Sequence, residues 1–169
     1  MKAIVAVDLN WGIGCGGSLL ELIPGDMKFF KQMTVGKVVV MGRETFESLP
    51  GKEPLKERIN IVLSKNKSYH NDKVILCRSM DDLFRELDKY STEDVFVIGG
   101  ESIYTQLLPL CTEAYVTKIK REYIADKYFI NLDNDQAWEQ VSKSETKSET
   151  KSENNIRYSF IKYINTRFI

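Results

Sequence analysis

Five stretches of the chain are apolar at nearly every consecutive position: AIVAV (3–7), KVVVM (37–41), INIVL (59–63), KVILC (73–77) and VFVI (95–98). Such runs suit strands covered on both faces, as in a parallel sheet between helices. Helical spacing lies between them. In SMDDLFRELDKY (79–90), Ser79 is placed to cap, Asp81 and Asp82 suit the positive end of the helix dipole, and Met80, Leu83, Phe84 and Leu87 make one apolar stripe. Shorter helices are expected over 26–34, 43–49 and 101–108. The alternation of strand and helix implies right-handed crossovers and a mostly parallel sheet. The last third changes character. AYVTKIK, KYFINL and IRYSFIKYI alternate more, as a terminal antiparallel section would. Between the last two lies SKSETKSETKSENN (142–155), an S-E-T-K repeat with no apolar residue. It reads as a mobile surface loop joining an antiparallel pair.

Length adds that 169 residues make one domain, 1–169, with a sizeable core. Formal net charge is zero, so no basic excess points to nucleic acid or a membrane surface. The apolar start before Asp8 is too short for a signal peptide or a spanning helix. Cys15, Cys77 and Cys111 form no CxxC pair, and the single histidine, His70, sits in a polar stretch, so neither a disulfide framework nor a metal site is suggested. The chain reads as cytoplasmic.

Three glycine-bearing stretches carry candidate chemistry. GIGCGG (12–17) matches G-x-G-x-x-G, but SLLELIPG separates it from the next helix, so it reads as a flexible loop over a site. In VFVIGGESIY (95–104) a buried strand ends in Gly99-Gly100 and a helix begins at once, which suits close approach to a phosphate or, equally, a tight turn. VVVMGRETF (38–46) repeats the arrangement, with Arg43 suited to a ribose 2′-phosphate and Thr45 near the helix start. Asp26 alone reads first as an N-cap or first-turn acid. Phe30, one turn on, would give it an aromatic neighbour and a raised pKa. Thr117 is either a satisfied core hydroxyl or a partner for that acid.

Taken in order, IVAVD, PGDMKFFK (24–31), VVVMGRET (38–45), the arginine of KERINIVLS (56–64), VIGGESIY (97–104) and YVTKI (115–119) resemble dihydrofolate reductases of the bacterial chromosomal type over nearly the whole chain. The resemblance implies an α/β fold with an eight-stranded, mostly parallel sheet, an antiparallel C-terminal strand and four helices. It implies NADPH as cofactor, 7,8-dihydrofolate as substrate, and a monomer. Asp26 would hold the pterin 2-amino group and N3, with Thr117 in support. Ile4, Val5, Met27, Phe30 and Leu49 would surround the pterin and aminobenzoyl rings, with Leu19, Glu21 and Leu55 at the same pocket and Ile98 offering its carbonyl. Arg58 would pair with the glutamate α-carboxylate. Ala6, Ile13 and Gly14 would flank the nicotinamide. Gly42, Arg43, Glu44 and Thr45 would bind the rest of the cofactor, together with Leu63, Ser64, Lys65 and Arg78 and the turn Gly99, Gly100, Glu101, Ser102, Ile103 and Tyr104. Asp126 matches an acid that pins the glycine loop. Direct transfer of a proton from Asp26 and a path through water are both open.

One departure stands out. The family usually reads Leu-Pro-Trp after the glycine loop, and this chain reads Leu19-Leu20-Glu21. Glu21 cannot stack as an indole would, and the lost proline removes a fixed φ. Two other readings are a pyrimidine reductase of riboflavin synthesis, which shares the architecture and NADPH, and a non-catalytic pterin- or nucleotide-binding module.

Overall fold

The consecutive apolar runs lie side by side in one sheet, with the run 73–77 at its edge. The structure, a computed structural model, describes residues 1–151 and 154–169. In chain order the strands are β1 (Lys2–Val7), β2 (Gly12–Cys15), β3 (Ser18–Leu19), β4 (Val38–Gly42), β5 (Ile59–Leu63), β6 (Ile75–Cys77), β7 (Val95–Gly99), β8 (Glu113–Ile119), β9 (Lys127–Tyr128), β10 (Trp138–Lys143), β11 (Lys147–Lys151) and β12 (Asn154–Asn165). The helices are α1 (Pro24–Thr34), α2 (Arg43–Ser48), α3 (Met80–Leu87) and α4 (Glu101–Leu107). The main sheet runs β10-β12-β8-β1-β7-β4-β5-β6, with β11 paired to β12. Strands β8, β1, β7, β4, β5 and β6 pair in parallel, and β12 closes antiparallel on β8.

Pleating sorts the apolar runs between two cores. Ala3, Val5, Val38, Val40, Ile61 and Val97 join the cluster on one side. Ile4, Val39, Met41, Val62 and Phe96 join the cluster on the other. Each run is therefore apolar at nearly every position because both faces are covered.

Helix α3 has the expected cap, with Ser79 Oγ accepting from the Asp82 N–H at 3.0 Å. Its stripe is narrower than expected: Leu83 and Leu87 are buried, but Phe84 is 37% exposed. Among the described residues, no helix is long and apolar enough to cross a membrane.

Three expectations need correction. KYFINL contributes only the two-residue strand β9, which pairs with β2 rather than extending the main sheet. The glycine stretch is a β-hairpin: Cys15 pairs with Ser18, and Gly16 and Gly17 have φ of 60° and 79°. Those positive values are what a two-residue hairpin turn demands. Finally, much of 142–155 is strand. Residues 147–151 pair antiparallel with β12, from Lys147↔Tyr158 to Lys151↔Asn154. A polar sequence cannot form a core, but a backbone ladder needs no apolar side chain once a neighbouring strand offers an unpaired edge. Residues 152–153 of that stretch lie outside the described residues.

Candidate active site

Asp26 lies in the first turn of α1. Pro24 opens the helix, where its missing N–H is not needed, and buried Ile23 occupies the N-cap without a side-chain hydrogen bond. Asp26 is thus a first-turn acid and not the cap. Thr117 of β8, 1% exposed, donates its hydroxyl to Asp26 Oδ1 at 2.5 Å. Among the described residues Thr117 is the one donor to this carboxylate. Burial pushes the Asp26 pKa up, the Thr117 hydrogen bond pulls against it, and the charge of Glu149 pushes it further up.

Of the side chains expected around the substrate, Ile4, Phe30, Leu49, Leu55 and Ile98 meet in a single apolar cluster. Met27 and Leu19 stand more open, at 51% and 63% exposure. Val5 does not join them. Its side chain points to the opposite core, as alternation along β1 requires, so it can serve the pocket only through its main chain. Tyr104 is buried on the far side of β1 and donates to the Ile4 carbonyl at 2.7 Å. Burial, and then the charge of Asp26, push its pKa upward.

Arg58 stands at the other end of α1. Its Nη1 donates to Thr34 Oγ1 at 3.1 Å and its Nε to the Lys56 carbonyl at 2.8 Å. Burial lowers its pKa, with the charge of Glu57 acting in the other direction. The turn that presents it is held by Asn60, which was missed in the sequence. Asn60 accepts from the Leu55 N–H and donates to the carbonyls of Leu55 and Arg58. A lone Asn inside the run INIVL was the available signal, since a buried amide must find partners.

The two strand–helix turns lie side by side because β4 and β7 are parallel neighbours, with Met41 opposite Gly99. Both turns are closely packed. A Cβ on Gly42 would stand 3.2 Å from Ile103 Cγ1, and one on Gly100 would stand 3.2 Å from Thr45 Oγ1. The Gly99-Gly100 peptide is cis. Glu44 and Glu101 occupy the first turns of α2 and α4, and Ser102 is exposed beside them. At the end of β5, Leu63 and Ser64 are buried and Lys65 is exposed. Arg43 and Arg78 bracket the following loop. The Arg43 guanidinium lies 5.9 Å from the centre of the Tyr69 ring and pairs with Glu47, while Arg78 donates to the carbonyls of Asn66 and Tyr69.

The glycine hairpin is tethered from below. Asp126 Oδ2 accepts from the Gly16 N–H at 2.9 Å. Asp8, fully buried, accepts from the N–H groups of Asn10 and Gly12 through Oδ1 and of Tyr123 through Oδ2. Ile13 and Gly14 are buried in this hairpin, and Ala6 packs on the β1 face toward α1 with Ile23. Asp8 was not singled out in the sequence, although an acid directly after a buried strand was a visible signal.

Residues 1–165 match the dihydrofolate reductase family profile. The chain belongs to the dihydrofolate reductase family. It is 35% identical to the dihydrofolate reductase of Bacillus subtilis over 161 residues, covering 95% of this chain and 91% of that one. It is 36% identical to the bifunctional dihydrofolate reductase-thymidylate synthase of Glycine max, covering 98% of this chain but spanning only 34% of that protein's length. The dihydrofolate reductase of Enterococcus faecalis, solved in complex with NADP(H) and RAB-propyl, superposes with a TM-score of 0.82 at 33% identity, covering 97% of this chain and 95% of that one.

Against the family pattern, Glu21 is the departure that the structure explains. Its carboxylate accepts from the Tyr123 hydroxyl at 3.2 Å. Burial and then the neighbouring Glu21 charge raise the Tyr123 pKa. Tyr123 is the residue whose N–H Asp8 holds. The segment entering α1 is therefore linked to the loop after β8 by side-chain hydrogen bonding, where the family usually places a proline and an indole.

Proposed function

We propose that this chain, acting as one domain over 1–169, reduces 7,8-dihydrofolate to 5,6,7,8-tetrahydrofolate with NADPH, supplying tetrahydrofolate for one-carbon metabolism. The observation that carries the reading is the Asp26–Thr117 pair, a carboxyl of raised pKa at the edge of an apolar pocket. Asp26 would hold the pterin 2-amino group and N3, and the Ile98 carbonyl and the Val5 main chain would complete the polar rim. Phe30, Ile4, Leu49 and Leu55 would sandwich the rings, with Met27 and Leu19 over the mouth. Asp26 and Thr34 are eight residues apart in α1, about 12 Å at the helical rise, so Arg58 stands at a distance suited to the glutamate end of the same ligand.

The two strand–helix turns fit NADPH. Their tight packing leaves room for glycine only with little to spare, and main chain without Cβ can approach a phosphate closely. Gly42, Thr45, Gly99 and Gly100 would hold the pyrophosphate region with Glu101, Ser102 and Ile103. Arg43, Ser64, Lys65 and Arg78 would face the 2′-phosphate end, and Ala6, Ile13, Gly14 and Tyr104 the nicotinamide. Bound NADPH supplies the hydride that passes from nicotinamide C4 to pterin C6. The protein orients the two rings, excludes water and supports the proton that N5 gains. Asp26 does the last of these either directly or by tuning the pterin toward a proton from water.

Arg58 and the Asp26/Phe30 pair favour folate over the pyrimidine of riboflavin synthesis. The unpaired cysteines suit a reducing compartment, which supports a cytoplasmic enzyme. The zero net charge supports a small molecule rather than nucleic acid as its partner, and the family resemblance supports a monomer. The deciding experiment is steady-state NADPH oxidation with dihydrofolate and, in parallel, with the riboflavin pyrimidine. Oxidation driven by dihydrofolate alone is the expected result. No dihydrofolate-dependent oxidation, with tight binding of both ligands, would instead mark a binding module.

A second test concerns the cofactor. Arg43→Ala should narrow the preference for NADPH over NADH by about 10- to 100-fold, the worth of one charged hydrogen bond. Equal use of both cofactors by the unmutated enzyme would defeat this assignment.

A further inference from the structure

The S-E-T-K repeat contributes a charged group to the neighbourhood of Asp26. Glu149, in the middle of β11, faces the start of α1. Its Oε1 accepts from the Gly25 N–H at 2.7 Å and from the Tyr158 hydroxyl at 2.7 Å. Gly25 immediately precedes Asp26. A Cβ at that position would fall 2.2 Å from the Tyr158 hydroxyl and 2.3 Å from Glu149 Oε1, so the approach depends on glycine.

Two consequences follow from ordinary helix physics. The N-cap Ile23 offers no side-chain acceptor, so the first-turn donors of α1 need partners from elsewhere. Glu149 supplies one, from a strand more than a hundred residues away in sequence. A carboxylate there also favours the positive end of the helix dipole. At the same time it brings a second negative charge close to a partly desolvated acid. Like charges in such surroundings disfavour joint ionisation.

We propose that Glu149 is a positioning residue for Asp26: it fixes the first turn of α1 through Gly25 and Tyr158 and sets a second negative charge beside the Asp26 carboxyl. The pairing rests on the reading of Asp26 as the acid of a reductase only for its effect on turnover. Asp26 is hydrogen-bonded by Thr117 on β8 and feels the charge of Glu149, and its own charge acts on Tyr158 of β12 and Tyr104 of α4. Thr117 acts to lower the Asp26 pKa, and Glu149 acts to raise it. The two tyrosines are neutral near pH 7, with Tyr158 pushed up to about 12 by burial and by Glu149. Glu149 is therefore the charge whose removal should be felt at Asp26.

The test uses the full chain and two variants. Glu149→Gln keeps an acceptor for Gly25 and Tyr158 and removes the charge; Glu149→Ala removes both. The Asp26 carboxyl is titrated by carbon-13 NMR, and turnover is followed against pH in parallel. In Glu149→Gln the Asp26 midpoint and the pH at which turnover declines should both move down, by a few tenths to about one unit, with NADPH affinity unchanged. Glu149→Ala should show the same downward shift and also raise the KM for dihydrofolate several-fold, since the helix start loses its anchor. A structural role alone would lower the melting temperature of Glu149→Ala and leave the pH profile of both variants where it was. An unmoved Asp26 midpoint in Glu149→Gln overturns the proposal, whether or not the enzyme turns over. A moved midpoint in a chain without turnover supports the pairing and counts against the reductase reading instead.

Discussion

Asp26→Asn should cost at least about 100-fold in turnover near neutral pH, the scale of one lost acid–base group, while NADPH binds as before. The replacement keeps an oxygen for the Thr117 hydroxyl and the shape of the first turn, so a loss of activity cannot be assigned to misfolding. It should also stabilise the protein, and in a pH-dependent way. The folded pKa of Asp26 lies above its ordinary value of 3.8, chiefly because burial penalises the charged form. Below that ordinary value both folded and unfolded chains hold the proton, and the stability associated with Asp26 is fully present. Between the two pKa values the folded chain binds more protons, so stability falls as pH rises through the folded pKa. Asn does not titrate and escapes this loss. The melting temperature of Asp26→Asn should therefore exceed that of the unmutated protein by a margin that grows as pH rises above 3.8 and levels off once the folded pKa is passed. Unchanged turnover in the variant would remove Asp26 from the mechanism; a constant margin would remove the buried-charge account.

Arg58→Leu should separate binding from chemistry. The KM for dihydrofolate should rise about 10- to 100-fold, corresponding to the loss of a charged hydrogen bond, with kcat altered by less than about three-fold. The reason is distance. Arg58 bonds to Thr34 at the far end of α1 from Asp26, so in the proposed binding mode it would meet a part of the ligand that does not react. An interaction equal in ground and transition states lowers KM without changing kcat. Lysine at this position should recover little, because it lacks the planar fork that suits a carboxylate. A fall in kcat equal to the fall in kcat/KM would contradict this role.

The apolar runs of β1, β4, β5 and β7 were legible because burial on both faces leaves a continuous signature. The strand–glycine–helix turns were legible for a related reason: a residue without Cβ directly after such a run marks a close approach. Asp26, Thr117 and Arg58 are singled out through the order of several short motifs, since singly each has an ordinary structural explanation. The groups that were missed have a common character. Asp8, Asn60 and Glu149 act on main-chain N–H or carbonyl groups, and nothing in a sequence records which main-chain group a side chain will reach.

By itself the sequence determined the parallel core, the four helices and the two glycine turns. These are local or periodic properties, encoded in which residue types follow one another. The tertiary structure alone decided the rest. It turned the glycine stretch into a hairpin, gave Glu21 a partner in Tyr123, and laid part of a polar repeat against β12. It also brought Glu149 to the residue before Asp26. The contacts of Glu21 and Glu149 depend on hydrogen bonds between segments far apart in the chain, whose partners become neighbours only after the sheet has formed.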